Sequence, residues 1–306
     1  MKILIAYDGS PIADEAIDDL YLAGLPENAE AVVLCLAKPW NLSAFGADSG
    51  LLEWTPLPVS DVLAIDRLAL DSALVLANRG RNHVEFRHPA WKVKSESRLE
   101  DPARGILEKA EAWKPDLIVL GSHGHTALGR LLLGSVSHKV LHHALASVRI
   151  NRARVRPTAR APRLMLALDG RAGSDGVVEH VAERVWPAGT QARLVAVEED
   201  LAILQNVVAG HRQERLDELR NSRISWLDAR LSAFRIRLEA KGLTVILERL
   251  VGDPREILPR RAAETRTDCI FLGSRGLNGF ERLMLGSVSS SVAGHAKCTV
   301  EIVRTT

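Results

Sequence analysis

The sequence predicts two tandem doubly wound α/β domains, each built on a parallel sheet. Three observations carry that prediction. Gly121-Ser122-His123-Gly124, nine residues, then Gly134-Ser135 recurs as Gly273-Ser274-Arg275-Gly276, nine residues, then Gly286-Ser287. The displacement is 152 positions (273 − 121), and residues 121–152 align without a gap on 273–304 with 16 identities in 32. A repeat with the period of a whole domain means duplication and not a solenoid. Short continuous apolar runs also alternate with helical patterns in the same order in both halves, as expected of parallel strands covered on both faces. Finally, 306 residues give each half the size of an ordinary domain with its own core. The expected division is 1–152, a linker over 153–162, and 163–306.

In the first half, Ile3–Tyr7 reads as a buried strand ending in Asp8-Gly9-Ser10-Pro11. Ser10 suits the N-cap of the following helix and Pro11 its first position. Ala13, Ala16, Ile17 and Leu20 recur at helical spacing. Ala31–Leu36 is a second strand, and 37–60 reads as irregular. Asp61–Arg79 is a helix, 84–93 a third strand, Pro102–Trp113 a helix and Leu117–Leu120 a fourth strand. After the glycine loop come a helix over Ser135–Ala146 and a strand over Val148–Ile150. The second half repeats the order. Strand Arg163–Leu168 runs into Asp169-Gly170, then helix Gly173–Val185, strand Ala192–Val197 and a long helix over about 205–241 ended by Gly242. Strand 243–250, the turn Gly252-Asp253-Pro254, helix 255–266, strand Cys269–Leu272, the second glycine loop, helix 287–296 and strand Thr299–Val303 complete it. Right-handed crossovers leave few topologies beyond a doubly wound sheet. Its ligands sit beyond the carboxyl ends of the strands. Asp8 is thereby expected to share a pocket with Gly121, and Asp169 with Gly273.

Composition narrows the function. A hydrophobic content of 46% and a charged content of 25% are ordinary for a soluble protein. A net charge of +2 is no nucleic-acid footprint. The basic run Arg152–Arg163 lies between the repeats and reads as a solvated linker, with an RNA- or membrane-contacting strip as the other reading. Cys35, Cys269 and Cys298 share no close spacing, which speaks for a reducing compartment and against a disulfide frame or a zinc site. The apolar run at the N-terminus is too short for a signal peptide, and no segment approaches membrane-spanning length. The expected location is the cytoplasm.

The glycine loop allows positive φ and close backbone approach. Ser135 and Ser287 are placed to cap the next helix, whose free amides and dipole favour a polyphosphate. Glycines after a strand also serve simply to let a helix pack closely. Neither loop ends in the Gly-Lys-Ser/Thr of the Walker loop or fits Gly-x-Gly-x-x-Gly. No lysine is offered for phosphoryl transfer, and no catalytic residues are assigned. His138 and His142, four apart on a helix, leave a metal pair geometrically open, but no metal ligands are assigned.

The double Gly-x2-Gly-x9-Gly-Ser signature, strand one ending in Asp-Gly-Ser, Leu285-Gly-Ser-Val-Ser289 and the segment His295–Arg304 resemble the universal stress protein family over nearly the whole chain, as two tandem domains. The resemblance implies five-stranded parallel sheets of adenine-nucleotide-hydrolase-like, Rossmann-like type, usually dimeric, and ATP binding in members with this signature. Carried over, Asp8, Leu36, Gly121, Gly124, Gly134, Ser135 and Val136 would hold the nucleotide in the first domain. Asp169, Val197, Gly273, Gly276, Gly286, Ser287 and Val288 would do so in the second. The halves depart from the family differently. Glu100-Asp-Pro102 stands for Gly252-Asp-Pro254, His123 for Arg275, and the last strand of the first half, Ser147–Asn151, lacks the usual apolar run. Arg171 follows Asp169-Gly170 where serine is usual. The second domain is therefore expected to be the better ATP site, with or without magnesium. The expected role is a ligand-dependent regulator or sensor, with a slow ATPase or a histidine-rich metal-binding scaffold as alternatives.

Family members dimerise through their last strands, so a tandem chain can pair its own two halves, leaving a further homodimer open. Arg149 and Glu301 are equivalent positions of opposite charge and are expected to face each other across such a pair.

Overall fold

The computed structural model describes residues 1–40, 59–122, 133–152, 160–198, 212–274 and 285–304. The first half runs β1 (Lys2–Ala6), α1 (Pro11–Asp18), a 3-10 turn (Asp19–Leu22), β2 (Glu30–Ala37), α2 (Val59–Arg87), β3 (Lys92–Leu99), α3 (Pro102–Trp113), β4 (Leu117–Gly121), α4 (Ser135–His143) and β5 (Ser147–Asn151). The second runs β6 (Arg163–Ala167), α5 (Ala172–Ala182), β7 (Gln191–Glu198), α6 (Arg212–Glu239), β8 (Thr244–Val251), α7 (Pro254–Glu264), β9 (Cys269–Gly273), α8 (Ser287–His295) and β10 (Thr299–Val303). Among the described residues no helix is long and apolar enough to cross a membrane.

The strand order is β3-β2-β1-β4-β5-β10-β9-β6-β7-β8. Each half is a parallel five-stranded sheet, and β5 pairs antiparallel with β10, so the halves join edge to edge. Parallel strands buried on both faces explain the continuous apolar runs of β1, β4, β6 and β9.

One expectation fails. Residues 84–93 are not a strand: α2 continues to Arg87, and the third strand is Lys92–Leu99. Val84 is fully buried while Phe86 is 82% exposed. A strand would put both on one face, whereas a helix separates them. The true strand, Lys-Val-Lys-Ser-Glu-Ser-Arg-Leu, lies at the sheet edge and is half exposed, so it carries no apolar run to read. Along α2, Ala73, Ala77 and Val84 are buried. Gly80 lets the helix approach β1 and β2, since a methyl there would meet Tyr7 Cδ1 and Val33 Cγ1 at 2.9 Å. Gly80→Leu is expected to destabilise the chain by about 1–3 kcal/mol through overpacking. A lowered denaturant midpoint at unchanged slope would show it.

The two faces of the sheet treat the β5–β10 seam differently. On one face a single core crosses it, from Leu34, Ile106 and Val148 through Val300 and Ile302 to Ile270 and Leu258. On the other face the core is split, with Ile3, Ile5 and Ile17 in one cluster and Leu164, Val178 and Phe271 in another. Charged groups fill the gap. Arg149 and Glu301 are register partners, both fully buried, with Arg149 Nη1 donating to Glu301 Oε2 at 2.9 Å. Each has further partners from its own half. Arg149 Nε donates to Asp19 Oδ2 at 2.7 Å, while His180 Nε2 lies 2.7 Å from Glu301 Oε1 and Arg184 Nη1 donates to Glu301 Oε2 at 3.1 Å. Thr299 Oγ1 adds a bond to Asp19 Oδ1 at 2.9 Å. Asp19 and His180 occupy equivalent positions, 161 apart (180 − 19), as Asp8 and Asp169 do. The charge pattern is therefore inverted between the halves: acid on the helix side and base on the strand in the first, the reverse in the second.

Burial pushes the Glu301 carboxyl up, but Arg184, His180 and Arg149 outweigh it and hold the group well below the usual carboxylate range. Burial wins at Asp19, which stays above its ordinary value despite Arg149 and Thr299. The buried Arg149 would lose basicity through desolvation, yet Asp19, Cys269 and Glu301 hold it firmly charged. The five residues of β5 are all buried. The missing apolar run of this strand is thus the chemistry of the seam and not a sign of exposure.

Candidate functional site

In the first half, the carboxyl ends of β1, β2 and β4 and the adjoining helices line a half-open cleft with a cavity of about 150 Å³. It brings together four expected residues, Asp8, Leu36, Gly121 and Val136. Sequence reasoning had not singled out Tyr7, Ile12, Ile106 and Ser137, which also line it. Tyr7 is held neutral: burial, and then its hydroxyl bond to Asp14 Oδ1 at 2.5 Å, push its pKa up.

Asp8 ends the first strand in a tight turn, its Oδ1 accepting from Ser10 N at 3.0 Å. Ser10 in turn caps α1 by accepting from Ala13 N, and Pro11 opens the helix. Asp169 makes the same turn, with Arg171 N donating to its Oδ1 at 3.0 Å, but no side chain caps α5. Ser174 supplies a different brace, its hydroxyl donating to Asp169 Oδ1 at 2.8 Å.

The two glycine loops share one frame. Gly134 N donates to Ser122 O at 2.7 Å and Gly286 N to Ser274 O at 2.8 Å, closing each loop at its neck. Ser122 N is anchored to Asn151 O at 2.9 Å, and Ser274 N to Val303 O at 3.0 Å. The hydroxyls of Ser137 and Ser289 each donate to the carbonyl of the loop's first glycine, Gly121 or Gly273, at 2.7 Å. These two serines were missed, although the repeated Gly-Ser-Val-Ser carried the signal.

The capping expectation needs correction. Gly134 and Gly286 are the N-caps, in extended conformation (φ −62°, ψ 156° and φ −62°, ψ 151°). Ser135 and Ser287 are the first helical residues, and neither makes a capping bond. The neck bond fixes each glycine in the extended state, so the helix starts one residue earlier than a serine cap requires. The first-turn amides of α4 and α8 are therefore left without a side-chain cap. Such amides, with the helix dipole behind them, favour an anion.

Val136 and Val288 are partly buried behind these serines, and Leu36 and Val197 lie near the ends of β2 and β7. Gly124 and Gly276, with His123, His125 and Arg275, lie outside the described residues. The rings of His138 and His142 lie 4.3 Å apart, and burial, then His138, lowers the pKa of His142. No group of three potential metal ligands forms among the described residues. Cys35, Cys269 and Cys298 are unpaired and buried.

Known proteins place this geometry. The profile of the universal stress protein family matches residues 1–151 and again 161–304. A universal stress protein of Mycolicibacterium smegmatis is 28% identical over 214 residues, 69% of each chain. The crystal structure of a universal stress protein from Archaeoglobus fulgidus superposes with a TM-score of 0.64 at 18% identity, covering 99% of this chain and 98% of its own. A family protein from Arabidopsis thaliana, solved with AMP bound, covers 47% of this chain and 92% of its own at 18% identity and a TM-score of 0.36. Two successive matches that together span nearly the whole sequence, each containing its own glycine loop, make the chain a tandem member of the universal stress protein family.

Proposed function

We propose that the chain binds an adenine nucleotide, ATP with or without magnesium, and acts as a ligand-dependent regulator or sensor. The observation that carries this reading is the shared loop frame. In each half a closed glycine neck leads to a helix whose first amides have no side-chain cap, beside an aspartate at the end of strand one. Asp8 and Asp169 suit the adenine or ribose side. Gly121, Gly124, Gly134, Ser135 and Val136, and their counterparts Gly273, Gly276, Gly286, Ser287 and Val288, suit the phosphates. Binding is favoured over catalysis because neither loop carries the Walker lysine. The second domain is favoured because it keeps Gly252 and Arg275. Unpaired buried thiols support a reducing, cytoplasmic setting.

The seam supports pairing of the halves within one chain, with domains at 1–152 and 163–306 and a linker between. A like pair of halves would oppose Arg149 to Arg149 or Glu301 to Glu301 in a buried ladder, whereas the mixed pair attracts. A further homodimer would then use another surface.

Mass spectrometry of small molecules released from freshly purified protein is expected to find an adenine nucleotide. ATP turnover is expected to be negligible and equal in wild type and Gly276→Val. Wild-type turnover abolished by that substitution would instead make the protein an ATPase.

A further inference from the structure

The residues lining the first-half pocket have sequence equivalents in the second half, and most of those positions hold similar side chains. Val136 and Val288 correspond, as do Leu36 and Val197, and Ile106 and Leu258. The front of the first helix differs. Ile12 of the first half stands where the second has Gly173, 161 positions on, as Asp169 follows Asp8. Ser10 likewise stands opposite Arg171.

Ile12 lies at the mouth of the loop. A methyl built on Gly121 would meet Ile12 Cγ2 at 2.9 Å and its Cγ1 at 3.4 Å, so the side chain rests directly on the glycine where β4 hands over to the loop. Ile12 also lines the first pocket together with Val136 and Ser137 of α4. It thus occupies the loop side of the cavity, where phosphates would pass toward the amides of α4. The cleft beside it is half open and holds a cavity of about 150 Å³. At the equivalent point of the second half, glycine brings no side chain. Arg171 adds a cation there, its Nε 4.0 Å from Asp169 Oδ2 and its side chain 41% exposed.

We infer that the residue pair Ile12/Gly173 sets how many nucleotides the chain takes. Isoleucine closes the first domain to the phosphorylated part of the ligand, and glycine opens the second, so one ATP binds per chain. This rests on the nucleotide-binding reading above and adds the residue that decides which pocket is used.

Calorimetric titration of the full chain with ATP tests it, with circular dichroism and melting curves confirming that each variant folds. Wild type is expected to bind one ATP per chain and Gly276→Val none. Ile12→Gly is expected to bind two, and Gly173→Ile to lose at least about tenfold in affinity for the single site, the discrimination a few apolar carbons confer. Ile12→Ala serves in place of Ile12→Gly if the glycine variant fails to fold. Two sites in wild type would overturn the inference while leaving nucleotide binding intact. So would one site in both wild type and the Ile12 variants, or a single site that survives Gly276→Val. No binding by wild type or any variant would overturn the nucleotide reading and the inference with it.

Discussion

Arg149→Leu is expected to cost about 3–5 kcal/mol of stability, because removing one member of a buried ion network leaves its partners uncompensated. At about 2–4 °C per kcal/mol, the melting temperature falls by on the order of 10 °C. The loss falls hardest on Asp19, which keeps the Thr299 hydroxyl, while Glu301 retains Arg184 and His180. The pH dependence follows from the direction of the Asp19 shift. Its folded pKa lies above the ordinary 3.8, so the protonated form is tolerated and stability drawn from this group is lost as pH rises. The deficit of Arg149→Leu is therefore larger at neutral pH and shrinks as Asp19 takes up a proton on acidification. The double exchange Arg149→Glu with Glu301→Arg separates two accounts of the seam. It preserves the cross-strand pair but sets the introduced carboxylate against Asp19 and the introduced guanidinium against Arg184. No recovery is expected. Recovery to within about 1 kcal/mol of wild type would mean that only the strand pair matters and that the helix-side partners are inert.

Saturating ATP is expected to stabilise the folded chain by about 2.7 kcal/mol at one hundred times its dissociation constant, since the ligand binds the folded and not the unfolded state. Gly276→Val should abolish that increment whatever it does to the unliganded protein, so the quantity to read is the difference between scans with and without ATP. No increment in wild type would remove ATP from the proposal, and an undiminished increment in the variant would place the ATP site away from the second glycine loop. Ser289→Ala should fall between the two, because the loop keeps its Gly286–Ser274 neck but loses the hydroxyl that fixes the Gly273 carbonyl.

What the sequence showed, and what it hid, follows from burial. Strands covered on both faces announce themselves as apolar runs, so β1, β2, β4, β6, β7 and β9 were legible. The edge strand β3 was not, because half its surface meets water and its residues need not be apolar. Val84 and Phe86 then mimicked a strand within α2, although only one of them points inward. In the site, glycines and aspartates were readable because a backbone turn demands those residue types. Ser137 and Ser289 act through a single hydroxyl on a carbonyl, which any buried serine on a helix can do, so only their recurrence in the repeated Gly-Ser-Val-Ser marked them. Asp19, His180 and Arg184 were invisible for another reason. Their meaning lies in partners more than a hundred positions away, and only the equivalence of the two halves exposes the inversion of charge.

That inversion has a historical cost. Two identical halves carry the same side chain at positions 149 and 301, so any route from a duplicated uncharged seam to this one passes through a chain with one buried charge facing a neutral neighbour. The order of change is then constrained. An acid at 19 makes a base at 149 tolerable before any carboxylate exists at 301, and His180 and Arg184 do the same for 301. Once both sets are in place, neither half can return to pairing with a copy of itself without burying two like charges. The seam works as a ratchet: it commits two formerly interchangeable domains to each other.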